Sequence, residues 1–415
     1  MLSPKIHWYV FLLFTSARNL LRSPRRTIIS LSAIASAVAA IIVFQAFVNG
    51  VKTTFRHNVI TSLFAHFQIS PIGFRDEQGD SAFDFKISKM EELRKDVAAL
   101  GPLVLFSRRQ PFYGLINFDD RSVGGVGFGI DAEEESRFLT LTQAHEGMPL
   151  EKSGPESIVI GFKLAKRLRI KVGDMVSLLV TTATGSMNAV ELEVVGTFKT
   201  GITELDQGTY HIHHDTALRL VRTEAAPLVL LGYDLKDEVP LLEPLRKLIR
   251  EKYPDLEVAH WRQLAEFFDN TMGWIEKQVV VFRWIILLIA SISIVNVFMM
   301  GLFERMGEFG TLRAVGTHRT SIALMIFFES VLQASLGSLL GLLGGVVVIQ
   351  FFLQQGITMP PPPMMSVPFH VEFVMPWLQI PAILGVCILV CGGAGIYPAI
   401  KIARIRIVDA LGRNL

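Results

Sequence analysis

The sequence is poor in charge and in cysteine, and each shortage argues against a class of protein. Only 19% of its 415 residues are charged, while 50% are hydrophobic and the mean hydropathy is +0.42. Soluble domains carry about 25% charged residues, so this balance disfavours a purely cytosolic enzyme and a disordered chain. The two cysteines, Cys387 and Cys391, lie in one apolar stretch. They are too few for a disulfide framework or a cysteine-based metal site.

The usual signatures of catalysis are also missing. No G-x-x-x-x-G-K-[ST], G-x-S-x-G or H-E-x-x-H pattern occurs, which argues against a P-loop nucleotide site, a serine hydrolase and a zinc protease. The net charge of +2 gives no indication of nucleic-acid binding. The glycine-rich stretch Gly124–Gly129 has no helical pattern after it, so it predicts a loop or a bulged strand rather than a phosphate cradle. We therefore expect no catalytic, cofactor or metal site in this chain.

Long apolar runs, in contrast, are abundant. Four segments reach the roughly 20 apolar residues that are needed to cross a bilayer, namely residues 27–49, 279–303, 321–353 and 377–397. The first run is longer than the core of a signal peptide, so it predicts an uncleaved anchor. The sequence thus predicts four transmembrane helices, one before and three after a large insert.

The basic residues between these spans predict the orientation of the chain. Residues 1–26, 304–320 and 398–415 are rich in lysine and arginine, whereas residues 354–376 contain neither. Because cytoplasmic loops are enriched in these residues, both termini and the 304–320 connector are expected in the cytoplasm. The long segment 50–278 is then expected on the outer side of the membrane.

Two short features flank the spans. Ile6–Phe14 is apolar but too short to cross a bilayer, so it predicts a helix along the inner leaflet within the cytoplasmic N-terminal segment. Pro360–Pro363 predicts a stiff, extended stretch of the 354–376 connector. This proline run is either a rigid loop between two helices or a rim that contacts a partner.

The insert has the composition of a soluble α+β domain. Helical spacing over Ser88–Leu100 and Pro240–Lys252 contrasts with strand-like runs at Ser157–Gly161, Met175–Val180 and Val190–Phe198. Residues 50–65 should continue the first span as a helical stalk, residues 163–168 should form a short helix, and residues 260–278 should lead helically into the second span. The predicted fold class is a polytopic α-helical membrane protein, with four transmembrane helices in a 1+3 arrangement and a large α+β extracytoplasmic domain. Two lobes are expected in that domain.

A histidine-rich stretch, Tyr210–Asp215, contains candidate metal ligands. On a strand, His211 and His213 would share one face and could bind zinc together with a third ligand. No third ligand with recognisable spacing occurs, and the alternative is a set of exposed polar strand residues.

The third span carries a pattern of small residues. Gly337, Gly341 and Gly345 are four residues apart, so they form one face that predicts close packing against another helix. Glu329 lies within the same span, where a charge is costly and must face protein or water. It is either a partner in an interhelical hydrogen bond or a relay or cargo contact.

The connector after the second span carries the most specific motif. Residues Glu304–Gly316 read E-R-M-G-E-F-G-T-L-R-A-V-G, and this resembles the coupling segment of the FtsX/MacB superfamily of ABC-transporter permeases. The third span and the 1+3 topology resemble that superfamily too, as do Ile158–Gly161 and Val194–Phe198 in the insert. Thr200–Asp206 is similar to a stretch of the lipoprotein-releasing LolC/LolE branch.

The resemblance implies a non-catalytic permease subunit of the mechanotransmission type. A separate ABC ATPase dimer would bind ATP and magnesium, and a second permease copy or a paralogue would complete a dimer. In the coupling segment, Leu312 and Phe309 would supply apolar contact to the ATPase, and charged residues would fix the register. The residues that the resemblance assigns to ATPase coupling are Glu304, Arg305, Glu308, Phe309, Gly310, Leu312, Arg313, Ala314 and Gly316.

The LolC/LolE resemblance further implies transport of lipoprotein or lipid from the bacterial inner membrane to a periplasmic carrier. Aromatic residues around the outer end of the first span could line a surface for acyl chains, or could simply pack between helices. These residues are Phe44, Phe47, Phe55, Phe64 and Phe67. Two other functions stay open: an FtsX-like regulator of a cell-wall hydrolase, and efflux of small amphiphilic molecules with an adaptor protein.

Overall fold

The computed structural model describes residues 14–16, 18, 20, 22, 24–76, 85–139, 144–224, 226–235, 237–360 and 368–404. The chain divides into two compact units. The helical unit comprises residues 1–53, 271–357 and 370–415, and the sheet unit comprises residues 54–270 and 358–369. The predicted inner-leaflet helix at residues 6–14 lies almost entirely outside the described residues, and so does most of the proline run.

The described helices and strands follow the expected division into apolar helices and an α+β insert. The helices are α1 (Pro24–Val59), α2 (Met90–Ala98), α3 (Ala132–Ser136), α4 (Phe162–Leu168), α5 (Thr203–Gly208), α6 (His214–Val221), α7 (Val239–Lys252), α8 (Trp261–Leu264), α9 (Glu266–Glu304), α10 (Met306–Ala314), α11 (Arg319–Val347), α12 (Ile380–Ala394) and α13 (Ile396–Ala403). The strands are β1 (Phe67–Pro71), β2 (Leu103–Phe118), β3 (Arg121–Ile130), β4 (Ala144–Gly147), β5 (Ser157–Gly161), β6 (Met175–Thr181), β7 (Met187–Phe198), β8 (Thr209–His213), β9 (Leu228–Tyr233), β10 (Leu256–His260), β11 (Ile357–Met359) and β12 (Phe369–Val371). π-helical turns at Ile60–Phe64 and Val348–Phe352 extend α1 and α11.

Four helical stretches in the described chain are long and apolar enough to cross a membrane. They are Thr27–Ser62, Phe268–Met300, Arg319–Phe352 and Ile380–Ile402, and each contains or overlaps one predicted span. The fourth is interrupted between α12 and α13. Pro398 in the first turn of α13 has no N–H with which to bond the carbonyl four residues earlier, so the helix breaks just before it.

The helical unit is held together by an apolar core that all four long helices share. On α1, Ile34, Val38 and Ile42 recur every fourth residue and are buried. They pack together with residues of α9 and α12 in one cluster, and the cluster includes both cysteines. Cys387 and Cys391 therefore serve as small packing residues on one face of α12.

The sheet unit is built on one ten-stranded sheet. Its strand order is β10-β1-β9-β2-β3-β8-β5-β7-β4, and β6 pairs with both β2 and β7. The pairs β3–β8 and β5–β7 are parallel, and the other pairings are antiparallel. The sixteen-residue strand β2 pairs with β9, β3 and β6, so this single strand joins the two ends of the sheet.

Each end of this sheet has its own hydrophobic core. One core gathers α4 and α6 against β5–β8, and the other gathers α2 and α7 against β1 and β9. The two expected lobes therefore correspond to the two largest hydrophobic clusters on one continuous sheet. A buried ion pair lies on β2, where the Arg109 guanidinium contacts Glu135 at 2.7 Å and 2.9 Å and Ser107 donates a hydrogen bond to the same carboxylate. These bonds satisfy both charges away from water.

The predicted elements of the insert correspond closely to the observed ones. Ser157–Gly161 is a strand with the predicted bounds, and the other predicted strands are one to three residues longer. One expectation was wrong: residues 260–278 do not form a single helix, because α8 ends at Leu264 and α9 begins at Glu266. The glycine-rich stretch lies within strand β3, where a side chain at Gly127 would overlap the ring of Phe112.

Candidate functional site

The coupling motif forms a short helix with defined ends. Arg305 precedes helix α10, and the helix ends in a turn at Gly316, whose φ is +102°. The amide of Gly316 donates to the carbonyl of Arg313, and the amide of Thr317 donates to that of Leu312. These two bonds form a Schellman motif, which requires a residue with positive φ and therefore favours glycine.

One face of α10 is anchored in the helical unit. Met306, Phe309 and Gly310 are buried, and the Phe309 side chain is only 3% exposed. Phe309 packs in a cluster with apolar residues of α11 and α13. The sequence-based assignment of Phe309 to ATPase contact was therefore wrong for this conformation, because its ring belongs to the protein's own core.

The opposite face of α10 is open. Glu308, Thr311, Leu312 and Val315 follow helical spacing and are exposed. Leu312 is 42% exposed and Val315 is 82% exposed, so two apolar side chains stand on a short charged helix. We call these four residues the open face. A cavity of about 600 Å³ adjoins it and is lined in part by Leu312 and Met325.

An ion pair connects the coupling motif to the third span. The Arg305 guanidinium lies 3.8 Å from the Glu329 carboxylate on α11 and 3.0 Å from that of Glu308, and it stacks over the Phe309 ring at 5.5 Å. Glu329 is buried. The geometry supports the interhelical polar contact as the role of Glu329. The partner of Glu329 in this contact is Arg305, a residue of the coupling motif.

We expect Arg305 and Glu329 to be energetically coupled. Replacing Arg305 by methionine or Glu329 by glutamine should each lower the free energy of unfolding, and the double variant should lose less than the sum. The expected coupling energy is about 1 kcal/mol, since contacting residues couple by roughly 0.5–3 kcal/mol. Unfolding of the full chain in detergent, measured for the four members of this double-mutant cycle, tests the pair. Strict additivity would show that the two groups do not interact.

The small residues of α11 lie directly against α1. A Cβ on Gly337 would lie 2.7 Å from the Ile34 side chain, and one on Gly341 would lie 2.7 Å from the Ala35 carbonyl oxygen. Gly345 faces Ile42, 3.2 Å from where its Cβ would be. The glycines therefore allow the two helix backbones to approach more closely than any side chain would permit.

The five phenylalanines proposed as a cargo surface do not form one surface. On α1, Phe44 contacts Phe282 of α9 edge-on at 5.8 Å, and Phe47 contacts Phe373 at the same distance. Phe55, in the sheet unit, stacks on another ring of that unit, and Phe64 is half-buried in a π-helical turn. Phe67 was assigned wrongly, because it is fully buried in the core of the sheet unit as a residue of β1. Only Phe44 and Phe47 remain together as partly exposed aromatic residues on the first span.

Arg283 in the second span has a polar partner on the first span. The Arg283 guanidinium donates to the side-chain oxygen of Gln45 on α1 at 2.7 Å, and Gln45 lies 3.4 Å from Asn49. A single arginine in an apolar helix was the available signal, because a charge there needs a polar partner. Gln45 belongs to a different span, so no local sequence motif connects it with Arg283.

A buried carboxylate organises the part of the sheet unit that contains the end of α1. Glu238 accepts hydrogen bonds from the Trp261 indole at 2.7 Å and from His260 at 3.2 Å, and it pairs with Arg56 of α1. Burial alone would raise the pKa of Glu238, but these donors outweigh it and lower the pKa to about 2. Nearby, burial lowers the pKa of His66 to about 4, and its Nδ1 accepts a hydrogen bond from the Tyr233 amide.

The sheet unit should therefore lose stability in acid, beginning near neutral pH. His66 takes up a proton near pH 6.5 when unfolded but only near pH 4 when folded, so stability falls as the pH drops through that range. The expected loss is about 2–3 kcal/mol. Glu238 adds a further loss below about pH 4.5, where the unfolded carboxylate is protonated first. His66→Asn, whose amide oxygen can replace Nδ1, should flatten the change in thermal midpoint between pH 7 and pH 4. An unchanged pH profile would contradict the assignment to His66.

The histidine-rich stretch is more buried than the sequence predicts. His211 is buried and stacks on Phe198 at a ring distance of 4.7 Å. His213 ends strand β8, and His214 begins α6. No three His, Cys, Asp or Glu side chains among the described residues are grouped so that they could hold a metal ion. The expectation of exposed polar strand residues was wrong for His211, which lies between aromatic rings.

Comparison with known proteins agrees with this division of the chain. A family model described as the FtsX-like permease C-terminal domain matches residues 280–407, and one described as the MacB-like periplasmic core domain matches residues 27–231. A lipoprotein-releasing system transmembrane protein LolC from Neisseria meningitidis is 24% identical over 336 residues, which cover 78% of this chain and 76% of that protein. An uncharacterised ABC transporter permease from Methanocaldococcus jannaschii is 26% identical over 49% of this chain, and the match spans about half (51%) of that relative's length.

Among solved structures, the periplasmic region of MacB from Actinobacillus actinomycetemcomitans is similar at 12% identity and a TM-score of 0.35. The match covers 49% of this chain and 92% of that region. The two family models together extend from the first span to the end of the described helices. This chain is therefore a membrane-spanning ABC-transporter permease of the FtsX/MacB superfamily, similar to its LolC/LolE branch.

Proposed function

We propose that this permease converts ATP-driven motion of a separate ATPase subunit into motion of its sheet unit. The observation that carries the proposal is the open face of α10. Leu312 and Val315 are exposed there, while Phe309 on the opposite face is fixed in the core. A helix that is anchored on one side and apolar on the other is suited to receive force from a docked partner. ATP and magnesium would be bound by that partner.

The contacts within the helical unit supply a route for the force. A push on α10 reaches α11 through Phe309 and through the Arg305–Glu329 pair. The glycine face of α11 lies against α1, and Lys52 of α1 pairs with Glu276 of α9 at 2.8 Å. Since packed elements of this kind switch between discrete arrangements rather than deforming, α1 and α9 would tilt together. Each of these two helices begins in one unit and ends in the other.

The transporter would contain two permease subunits. Four spans are few for enclosing a pathway, so a second copy or a paralogue is required. Helix α9 supports this proposal, because it presents a row of exposed apolar side chains beyond those that pack in its own unit. These are Val281, Trp284, Ile285, Leu288, Ile289 and Ile292.

The cargo would be a lipid-anchored protein of the inner membrane. The names of the LolC relatives state that they belong to a lipoprotein-releasing system, and we extend that role to this chain as a proposal. Extracting an acyl chain costs about 0.8 kcal/mol per CH₂, so the process needs ATP-driven work and an apolar surface. Phe44 and Phe47 on α1 are partly exposed and could contribute to that surface. A periplasmic carrier would receive the cargo. Both termini of the permease would lie in the cytoplasm.

Photocrosslinking in cells distinguishes this cargo from the alternatives. A photoreactive amino acid at Phe44 or Phe47 should trap an acylated protein, and the trapped amount should change when ATP is depleted. The matched control is Phe352, which is exposed on the turn that extends α11. Trapping of a cell-wall hydrolase alone would favour a signalling function over lipoprotein release. Trapping of small amphiphiles alone would favour efflux. Equal trapping at Phe352 would show that Phe44 and Phe47 do not bind the cargo specifically.

A further inference from the structure

One edge of the ten-stranded sheet is open among the described residues. Strand β10 stands at the end of the strand order and pairs only with β1 there. The pairing is antiparallel, with Phe67 opposite His260 and Pro71 opposite Leu256. Alternate residues of such a strand direct their backbone N–H and C=O groups away from the partner. An edge that presents these groups is a template for pairing with another strand.

Hydrogen bonds at the two ends of β10 show which of its residues face β1. The Ile72 amide donates to the Asp255 carbonyl at 3.0 Å, and the Trp261 amide donates to the His66 carbonyl at 3.1 Å. Since the pattern has a period of two residues, the odd-numbered residues of β10 bond to β1. The even-numbered residues therefore direct their backbone groups to the open edge, and Val258 is the central one.

The amides on either side of Val258 at this edge are already occupied. The Leu256 amide donates to the Tyr253 carbonyl at 2.9 Å, and the His260 amide donates to the side-chain oxygen of Gln263 at 3.0 Å. The N–H and C=O groups of Val258 have no partner within the described part of the chain. An antiparallel strand exchanges two hydrogen bonds with a residue of this kind, so the edge itself indicates an extended peptide as its ligand.

A cavity of about 280 Å³ opens beside this edge, between β10 and α7. Leu256 and Val258 line it, so the free backbone groups border the cavity, and Ile249 and Pro254 extend its apolar wall. Ile72, also in the lining, is 59% exposed. In strand addition, the backbone bonds supply affinity and pockets beside the edge select side chains. The groove between α7 and β10 offers both.

The charge of this groove selects the kind of peptide. Arg246 and Arg250 line it from α7, and Glu257 is the one acid in the lining. The Arg75 guanidinium lies 3.1 Å from the Glu257 carboxylate and neutralises it. Arg250 is exposed and forms no ion pair with a described residue, while Arg246 has an exposed partner, Glu243, at 3.4 Å. Exposed pairs of this kind are weak, so both arginines are available to a carboxylate ligand.

The spacing of the two arginines matches that of an extended chain. Arg246 and Arg250 are four residues apart, which is about 6 Å along a helix. Side chains two residues apart on one face of a strand are about 6.6 Å apart. Two acidic residues at alternate positions of an added strand can therefore reach one arginine each, with their methylene groups on the apolar wall.

We propose that an extended, acidic segment of another protein adds as a strand to the edge of β10. Its backbone would exchange two hydrogen bonds with Val258, and its acidic side chains would meet Arg246 and Arg250. The site lies wholly in the sheet unit. It is independent of the ATPase contact and of the cargo proposed above, and it would let the sheet unit hold a partner protein.

Peptide binding to the full chain in nanodiscs, followed by fluorescence anisotropy, tests the site. The probe is a labelled heptapeptide of alternating valine and glutamate, blocked at both ends. We expect saturable binding that weakens with added salt, and binding at least about tenfold weaker for the alternating valine–lysine peptide. The glutamate peptide with N-methylated backbone amides should not bind, because it cannot pair with an edge. No saturable binding of the probe, or equal binding of either control peptide, would overturn the proposal.

Matched variants locate the binding. Arg246→Glu/Arg250→Glu should weaken binding of the glutamate peptide at least about tenfold and strengthen binding of the lysine peptide. Lys166→Glu/Arg167→Glu makes the same change of charge on the exposed side of α4 and should bind as the unmodified chain does. Equal affinities of these two variants would contradict the site.

A backbone variant tests the edge itself. Val258→Pro removes the free N–H, and proline is tolerated where an edge strand directs its N–H to solvent, so this variant should fold and lose peptide binding. If it fails to fold, the arginine variant decides the question alone. Dimerisation of the full chain that Val258→Pro abolishes, without peptide binding, would overturn the proposal and assign the edge to a second copy.

Discussion

Replacing Leu312 by aspartate should detach this permease from the ATPase subunit proposed above. Leu312 is 42% exposed at the centre of the open face, beside the cavity of about 600 Å³ next to α10. An apolar residue in the middle of a docking surface contributes more than the residues at its rim. A carboxylate at this position would be desolvated by the partner without a matching charge, so we expect affinity to fall by at least about 30-fold.

Co-purification of the ATPase with the tagged permease measures this effect, together with ATP hydrolysis by the purified complex. The matched control is Val172→Asp, which introduces the same charge at a position in the sheet unit with 44% exposure. That variant should keep the ATPase bound. Retention of the ATPase by Leu312→Asp at the level of the Val172→Asp control would show that the open face is not the contact.

Adding one methyl group at Gly341 should destabilise the whole helical unit. The new Cβ would lie 2.7 Å from the Ala35 carbonyl oxygen and 2.7 Å from the Val38 Cβ. Neither atom can easily move, because the first belongs to the helix backbone and the second to a β-branched side chain. Overpacking of this kind costs about 1–3 kcal/mol. Because α1 would be pushed away from α11, we also expect ATP hydrolysis to become uncoupled from transport.

The same helix supplies the control for this prediction. Gly344 is three residues further along α11, and the nearest atom to a Cβ there would be the Ala39 Cβ at 4.0 Å. Gly344→Ala should therefore fit, and it should gain about 1 kcal/mol from the better helix propensity of alanine. The thermal midpoints of Gly341→Ala and Gly344→Ala in detergent should move in opposite directions. Equal shifts would mean that the glycine face is not closely packed.

Much of this architecture could be predicted from the sequence, because its signals are local. Apolar runs of sufficient length identified the four spans, and strand-like runs such as Ser157–Gly161 identified parts of the sheet. The spacing of Gly337, Gly341 and Gly345 predicted a tightly packed face. In each case the residues that define the element are neighbours in sequence.

The candidate site was predicted less completely, because its geometry depends on residues that are distant in sequence. The coupling motif identified α10 but could not tell which face would be buried, since that depends on where α11 and α13 lie. Phe309 was therefore assigned to the partner, and Val315 was overlooked. Phe67 was assigned to a membrane surface because it follows the first span closely, whereas it begins strand β1 in the core of the sheet unit.

The open face of α10 is proposed to receive the ATPase, and crosslinking from that face tests this contact most directly. A photoreactive amino acid at Val315, which is 82% exposed, should form a covalent product with an ABC ATPase in cells. The same group at Leu339, exposed on α11 within the third span, should give no such product. An ATPase product from Leu339 but not from Val315, or from neither position, would contradict the account.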